Sequence, residues 1–103
     1  MKIGCIVEAR MASTRLPGKV LLKIINKTVL HHLTDRIKLV KNINKTIVAT
    51  TTNNKDLEII NWCKKKNINY FRGSEENVLE RVYKAAKKFK LDTIVLITGD
   101  CPI

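Results

Sequence analysis

The chain has little of anything that would staple it, thread it through a membrane or leave it disordered. Its 103 residues include three cysteines, two prolines, four glycines and five aromatics. Cys5, Cys63 and Cys101 are odd in number, widely spaced and form no C-x-x-C pair, which argues against a disulfide framework or a cysteine zinc site. Cys5 lies in an apolar run and Cys63 at a core-facing helix position, so both read as small core residues. No uninterrupted apolar stretch approaches 18 residues, which excludes a membrane-spanning helix. The first residues lack the longer apolar run and small-residue cleavage site of a secretory signal, so the expected location is cytoplasmic. Proline and glycine are sparse, and no linker, low-complexity run or internal repeat appears. The length allows one domain at most.

Acidic residues are also scarce. Nine face 20 basic ones, for a net charge of +11. Such a balance suits nucleic acid. Many of the lysines, however, at 38, 41, 64–66, 84, 87, 88 and 90, fall on the polar faces of helical patterns, where lysine is an ordinary solvated residue. None of the aromatics is interleaved with them as a base-stacking platform requires. No dedicated nucleic-acid binding is expected.

What is present is an alternation of strand and helix. Residues 3–7 form a short buried strand. Residues 20–22 enter a stretch that the pattern leaves unassigned. Thr28 caps a helix to about residue 41, with Val29, Leu30, Leu33, Ile37 and Val40 on one face. Residues 46–51 read as a second strand. Asn53 or Asn54 caps a helix through about residue 66, with Leu57, Ile60 and Cys63 inward. Residues 69–72 belong to a third strand. Glu75 and Glu76 fall in the first turn of a helix burying Val78, Leu79, Val82, Tyr83, Ala86 and Phe89. Residues 93–97 form a continuous apolar run, as for a strand buried on both faces. The order β-α-β-α-β-α-β predicts parallel strands and a three-layer α/β/α, Rossmann-like fold.

The densest chemistry follows the first strand. RMASTRLPGK, residues 10–19, places Arg10, Arg15 and Lys19 within ten positions, with Ser13, Thr14 and Gly18 between them and Pro17 blocking a helix. A basic, hydroxyl-bearing loop at the carboxyl end of a buried strand suits a polyphosphate. It is not a P-loop, because Ser13 and Val20 stand where that motif needs glycine and Ser or Thr. Asp100 ends another strand after Gly99 and is a candidate ligand for a hard cation, or the cap of a turn. Gly73 and Ser74 lie beside the same cleft, as a nucleoside contact or a plain cap. His31, His32 and Trp62 read as structural or solvated. Arg81 either reaches the cleft or pairs along its own helix.

Three segments carry a family resemblance. Ala9-Arg10-x-x-Ser13-Thr14-Arg15-Leu16-Pro17-Gly18-Lys19 resembles the N-terminal signature of the cytidylyltransferases that activate acidic sugars, the acylneuraminate and 3-deoxy-manno-octulosonate enzymes. Residues 73–81, GSEENVLER, and 98–103, TGDCPI, are similar to the spore coat polysaccharide biosynthesis branch. The resemblance spans the whole chain but only the first half of the usual domain, so the expectation is one incomplete nucleotide-binding domain over residues 1–103.

It implies the nucleotide-diphospho-sugar transferase fold with a mostly parallel sheet, and transfer of CMP from CTP to an acidic sugar with release of pyrophosphate. It also implies nucleotide binding by Ala9, Arg10, Ser13, Thr14, Arg15, Lys19, Gly73 and Ser74. Arg10 and Lys19 would act on the β- and γ-phosphates, and Mg²⁺ would sit on Asp100. A homodimer is compatible with a full-length form. Glu8 departs from the proline or glutamine of close relatives, and Asn77 from their aspartate. Another sugar-nucleotide pyrophosphorylase and a non-catalytic nucleotide-binding fragment are the alternative readings. The first lacks support from a glycine-rich opening.

Overall fold

The computed structural model describes residues 1–12, 18–24 and 26–99. Along the chain run β1 (Ile3–Glu8), a two-residue hairpin of β2 (Lys23–Ile24) and β3 (Lys27–Thr28), α1 (Val29–Lys38) and β4 (Lys45–Thr51). Then follow α2 (Leu57–Lys66), β5 (Asn69–Gly73), α3 (Val78–Lys88) and β6 (Thr93–Thr98). The main sheet has the order β5-β4-β1-β6 and every pairing in it is parallel. Cys5 pairs with Thr46 on one side and Val95 on the other.

Two cores flank that sheet. Cys5, Val7 and Val48 point into one, packed by Leu30, Leu33 and Ile37 of α1 and Ile59 and Cys63 of α2. Ile6 and Ala49 point into the other, against Val82 and Ala85 of α3. Because side chains alternate along a strand, β1 feeds both, and Cys5, Ile6 and Val7 are fully buried. The expected three-layer α/β/α arrangement is therefore observed.

Local chemistry sets the boundaries. Thr28 Oγ1 accepts the His31 amide at 3.0 Å and starts α1. Asn53 caps a short 3₁₀ turn, residues 54–56, rather than α2 itself, which begins at Leu57. Asn67, with φ 57°, closes α2 in the left-handed conformation that asparagine tolerates. Trp62 and His31 meet edge to face, with centroids 6.0 Å apart, as packing residues.

Several sequence expectations are corrected. Residues 20–22, left unassigned, end a 3₁₀ turn and lead into the hairpin, whose corner residue Asn26 takes φ 67°. Val40 and Leu57 are exposed. α1 ends at Lys38, and the α2 stripe is carried by Ile59, Ile60 and Cys63. Glu75 and Glu76 precede α3 instead of forming its first turn. Leu79 and Tyr83 lie on its solvent-facing shoulder, because the buried stripe is Arg81, Val82 and Ala85. An arginine occupies a core position that an apolar count passes over.

The largest departure is β6. Ile94, Val95 and Leu96 are exposed rather than buried on both faces. β6 is an edge strand of the described sheet, and α3 packs over β5, β4 and β1 instead. Ile47→Ala, at a fully buried position, should cost about 2–5 kcal/mol in denaturant unfolding. Leu96→Ala should cost less than about 1 kcal/mol. Equal losses would mean that β6 is covered.

Burial also governs the thiols, raising Cys5 from its ordinary value of 9.0 to about 11 and Cys63 to about 12. The neutral thiol is the form the fold favours. The stability it contributes is whole below about pH 9 and is lost as pH rises toward about 11 for Cys5 and about 12 for Cys63. In a Cys101→Ser background at pH 8, a thiol reagent should leave Cys5 and Cys63 unmodified until guanidinium is added. Rapid labelling of the folded chain would contradict their burial.

Candidate functional site

The topology names the place before any side chain does. From β1 the chain steps outward through α1 to β4 and through α2 to β5, then returns by α3 to β6 on the far side of β1. The strand order thus reverses between β1 and β6. At such a switch point the loops leaving neighbouring strands diverge and open a crevice at the carboxyl ends. β1 delivers Ala9 and Arg10 there, and β6 delivers Gly99. The Gly99 amide donates to the Glu8 carbonyl, and the Ala9 amide donates to the Ala49 carbonyl at 3.0 Å.

The basic loop is fastened at its stem. Asp56, 2% exposed, accepts the Met11 amide through Oδ1 at 2.7 Å, and its Oδ2 accepts the Thr51 hydroxyl. The Thr51 hydroxyl oxygen in turn accepts the Asn53 amide at 3.1 Å. Across the stem, the Gly18 amide donates to the Met11 carbonyl at 2.7 Å. Gly18 holds φ 75°, a left-handed backbone that disfavours larger residues. It leads into the 3₁₀ turn that carries half-buried Lys19.

A second fastening lies across the mouth. Arg72 donates through Nε to the Thr51 carbonyl at 2.9 Å and through Nη2 to the Asn53 carbonyl at 3.0 Å. Arg81, fully buried, donates through Nη1 to the Ser74 carbonyl at 2.7 Å and through Nη2 to Glu8 Oε1 at 3.0 Å. Burial lowers the Arg81 pKa most, the Arg10 charge lowers it further, and Glu8 and Asp56 oppose them. Glu8, Arg10, Asp56 and Arg81 thus share one electrostatic environment.

Of the predicted residues, the structure gathers Ala9, Arg10, Lys19, Gly73 and Ser74 at the carboxyl end of the sheet. Ala9 is buried and Arg10 is exposed. Ser74 does not cap α3. Its hydroxyl accepts the Asn77 amide at 3.0 Å, and Asn77 is the cap, accepting from Glu80. Ser13, Thr14, Arg15, Asp100 and Cys101 lie outside the described residues.

Sequence reasoning missed Asp56, Thr51 and Arg72. The available signal was a carboxylate within the turn that follows a strand ending in two threonines. A cavity of about 330 Å³ opens at the opposite end of the sheet, lined by Thr34, Lys38, Asn44, Lys45 and Asn67 among others. Among the described residues, no group of three or more His, Cys, Asp or Glu assembles anywhere to hold a metal.

Asp56→Ala should cost about 1–3 kcal/mol, because it leaves the Met11 amide and the Thr51 hydroxyl without an acceptor. It should also speed hydrogen exchange at Met11. Denaturant unfolding and amide exchange measure the two effects, and unchanged exchange would mean that the loop stem is held by something else.

The chain is similar to known proteins in sequence and in fold. A family model described as Cytidylyltransferase matches residues 4–103. The spore coat polysaccharide biosynthesis protein SpsF of Bacillus subtilis is 38% identical over 101 residues, covering 94% of this chain and 42% of that protein. The 3-deoxy-manno-octulosonate cytidylyltransferase of Solibacter usitatus is 35% identical over 105 residues, covering 99% and 40%. A solved cytidylyltransferase from Leptospira borgpetersenii superposes with a TM-score of 0.92 at 41% identity, over 99% of this chain and 43% of its own. The chain spans about two-fifths of the length of these relatives. With a family model matching residues 4–103 and a parallel sheet that superposes on a solved cytidylyltransferase, the chain belongs to the cytidylyltransferase family.

Proposed function

We propose that this chain is the nucleotide-binding part of an enzyme that transfers CMP from CTP to an acidic sugar, for a surface polysaccharide or glycan. One observation carries the reading: the loop bearing Arg10 and Lys19 is pinned at the switch point by Asp56 and Gly18. That is where an open parallel sheet binds nucleotides. The family match supports cytidine, and the similarity to a 3-deoxy-manno-octulosonate enzyme favours an acidic acceptor.

The reaction asks for little covalent work. A sugar hydroxyl attacks the α-phosphorus of CTP and gives up its proton to solvent, the bond from that phosphorus to the β-phosphate's bridging oxygen breaks, and pyrophosphate leaves with its charge. Arg10 and Lys19 neutralise the developing charge on that leaving group, and the fastened stem holds them in place. Ser13, Thr14 and Arg15 supply further donors to the phosphates in this reading, and the main chain at Ala9 lines the approach. Gly73 and Ser74 border the nucleoside side.

The described carboxylates nearest the loop are already engaged. Asp56 is committed to Met11 and Thr51, and Glu8 to Arg81. By the family resemblance, a magnesium ion would rest on Asp100, which lies outside the described residues, and on substrate phosphate oxygens, as a small hard cation does. Bound there, it would supply charge neutralisation at the triphosphate.

Calorimetric titration with CTP, UTP, ATP and GTP, each with Mg²⁺, tests the reading. CTP should bind selectively. Lys19→Ala or Arg10→Ala should each weaken it by roughly 10- to 100-fold, the value of a charge-assisted hydrogen bond. Selective UTP binding would favour a different sugar-nucleotide pyrophosphorylase. Absence of any nucleotide binding by the folded chain would contradict a pocket in this part.

A further inference from the structure

The Arg81 guanidinium is unusual for its place. It is fully buried, held by one carboxylate and one carbonyl, and its Nε finds no partner among the described residues. Burying a charge with one donor unmet is costly, and an apolar side chain of similar volume would serve a core better. Its partners explain its position. Glu8 is the last residue of β1, two positions before Arg10. Ser74 opens the turn between β5 and α3, and the Arg81 amide also donates to the Asn77 carbonyl at 3.1 Å.

Gly73 adds to the same contact. A Cβ there would stand 3.0 Å from Arg81 Cγ and 3.2 Å from Arg81 Cβ. The turn is therefore seated directly on the arginine's stem, while the guanidinium reaches across to β1. No hydrogen bond of the main sheet performs this connection, because β1 and β5 are separated by β4.

Resting on the nucleotide reading above, we propose that the Arg81–Glu8 ion pair is a positioning device. It fixes the spacing between the turn at residues 73–77 and the basic loop leaving β1, so that one nucleotide spans both. Neither side chain need touch the reacting atoms. The pair acts by making the phosphate subsite and the nucleoside subsite a single rigid object, which lowers the ordering cost of binding a ligand that bridges them.

This role differs from a structural one in its effect on ligands of different length. Arg81→Lys keeps a cation near Glu8 but cannot hold Glu8 and the Ser74 carbonyl together. Glu8→Gln keeps the acceptor oxygen and the shape while removing the charge, and it stands in if the lysine variant does not fold. The experiment measures affinity for CTP and for inorganic tripolyphosphate on folded wild type and both variants, with thermal unfolding in parallel.

In the variants, CTP should weaken by about tenfold, a coupling typical of groups sharing one network. Tripolyphosphate, which needs only the basic loop, should stay within about twofold. A parallel loss for both ligands, or a fall in melting temperature with unchanged affinities, would overturn the positioning role and leave the nucleotide reading intact. If wild type binds tripolyphosphate but no CTP, the nucleotide reading itself fails, and this inference with it.

Discussion

The structure depends on the parallel pairing of β1 between β4 and β6. Both of its edges are hydrogen-bonded, both of its faces are packed, and its neighbours run in the same direction. That constraint sends every strand's carboxyl end to one side of the sheet. It also makes β1 the strand beside which the order reverses. A basic loop leaving β4 or β5 would not open into the same crevice.

Given that frame, the site is made by fastening rather than by filling. Asp56 is buried so that its two oxygens can serve a main-chain amide of the loop and a threonine at the end of β4. Arg72 and Arg81 draw in the carbonyls of the neighbouring turns. Both arginines donate to protein groups, whereas Arg10 stays exposed and Lys19 half-buried. This division explains how a crevice with so much positive charge keeps its shape. Some cations order the backbone, and others stay accessible to solvent. The net charge of +11 is thus divided among solvated helix faces, internal ties and a small reactive remainder.

Much of this was legible in the residues alone. The strand runs, the Thr28 cap, the layering and the location of the basic loop follow from short-range rules of periodicity and capping. The motif residues 10–19 identify the family because their spacing is specific. What escaped was long-range. Asp56 looks like an ordinary turn carboxylate until Met11, 45 positions away, is seen to donate to it. Arg81 stays open between the cleft and its own helix until Glu8, 73 positions away, is placed opposite. The apolar residues of β6 read as doubly buried because a hydrophobic run reports what a strand is suited to. Whether a neighbour covers it depends on topology.

The central claim is that nucleotide is held at the carboxyl end of β1, against the loop pinned by Asp56. The most direct measurement is an amide chemical-shift map of the isotopically labelled chain during titration with CTP and Mg²⁺. The account predicts perturbations concentrated at residues 9–12, 18–20, 73–77 and 99. Shifts confined instead to residues 43–46 and 67–69, around the cavity at the other end of the sheet, would contradict it.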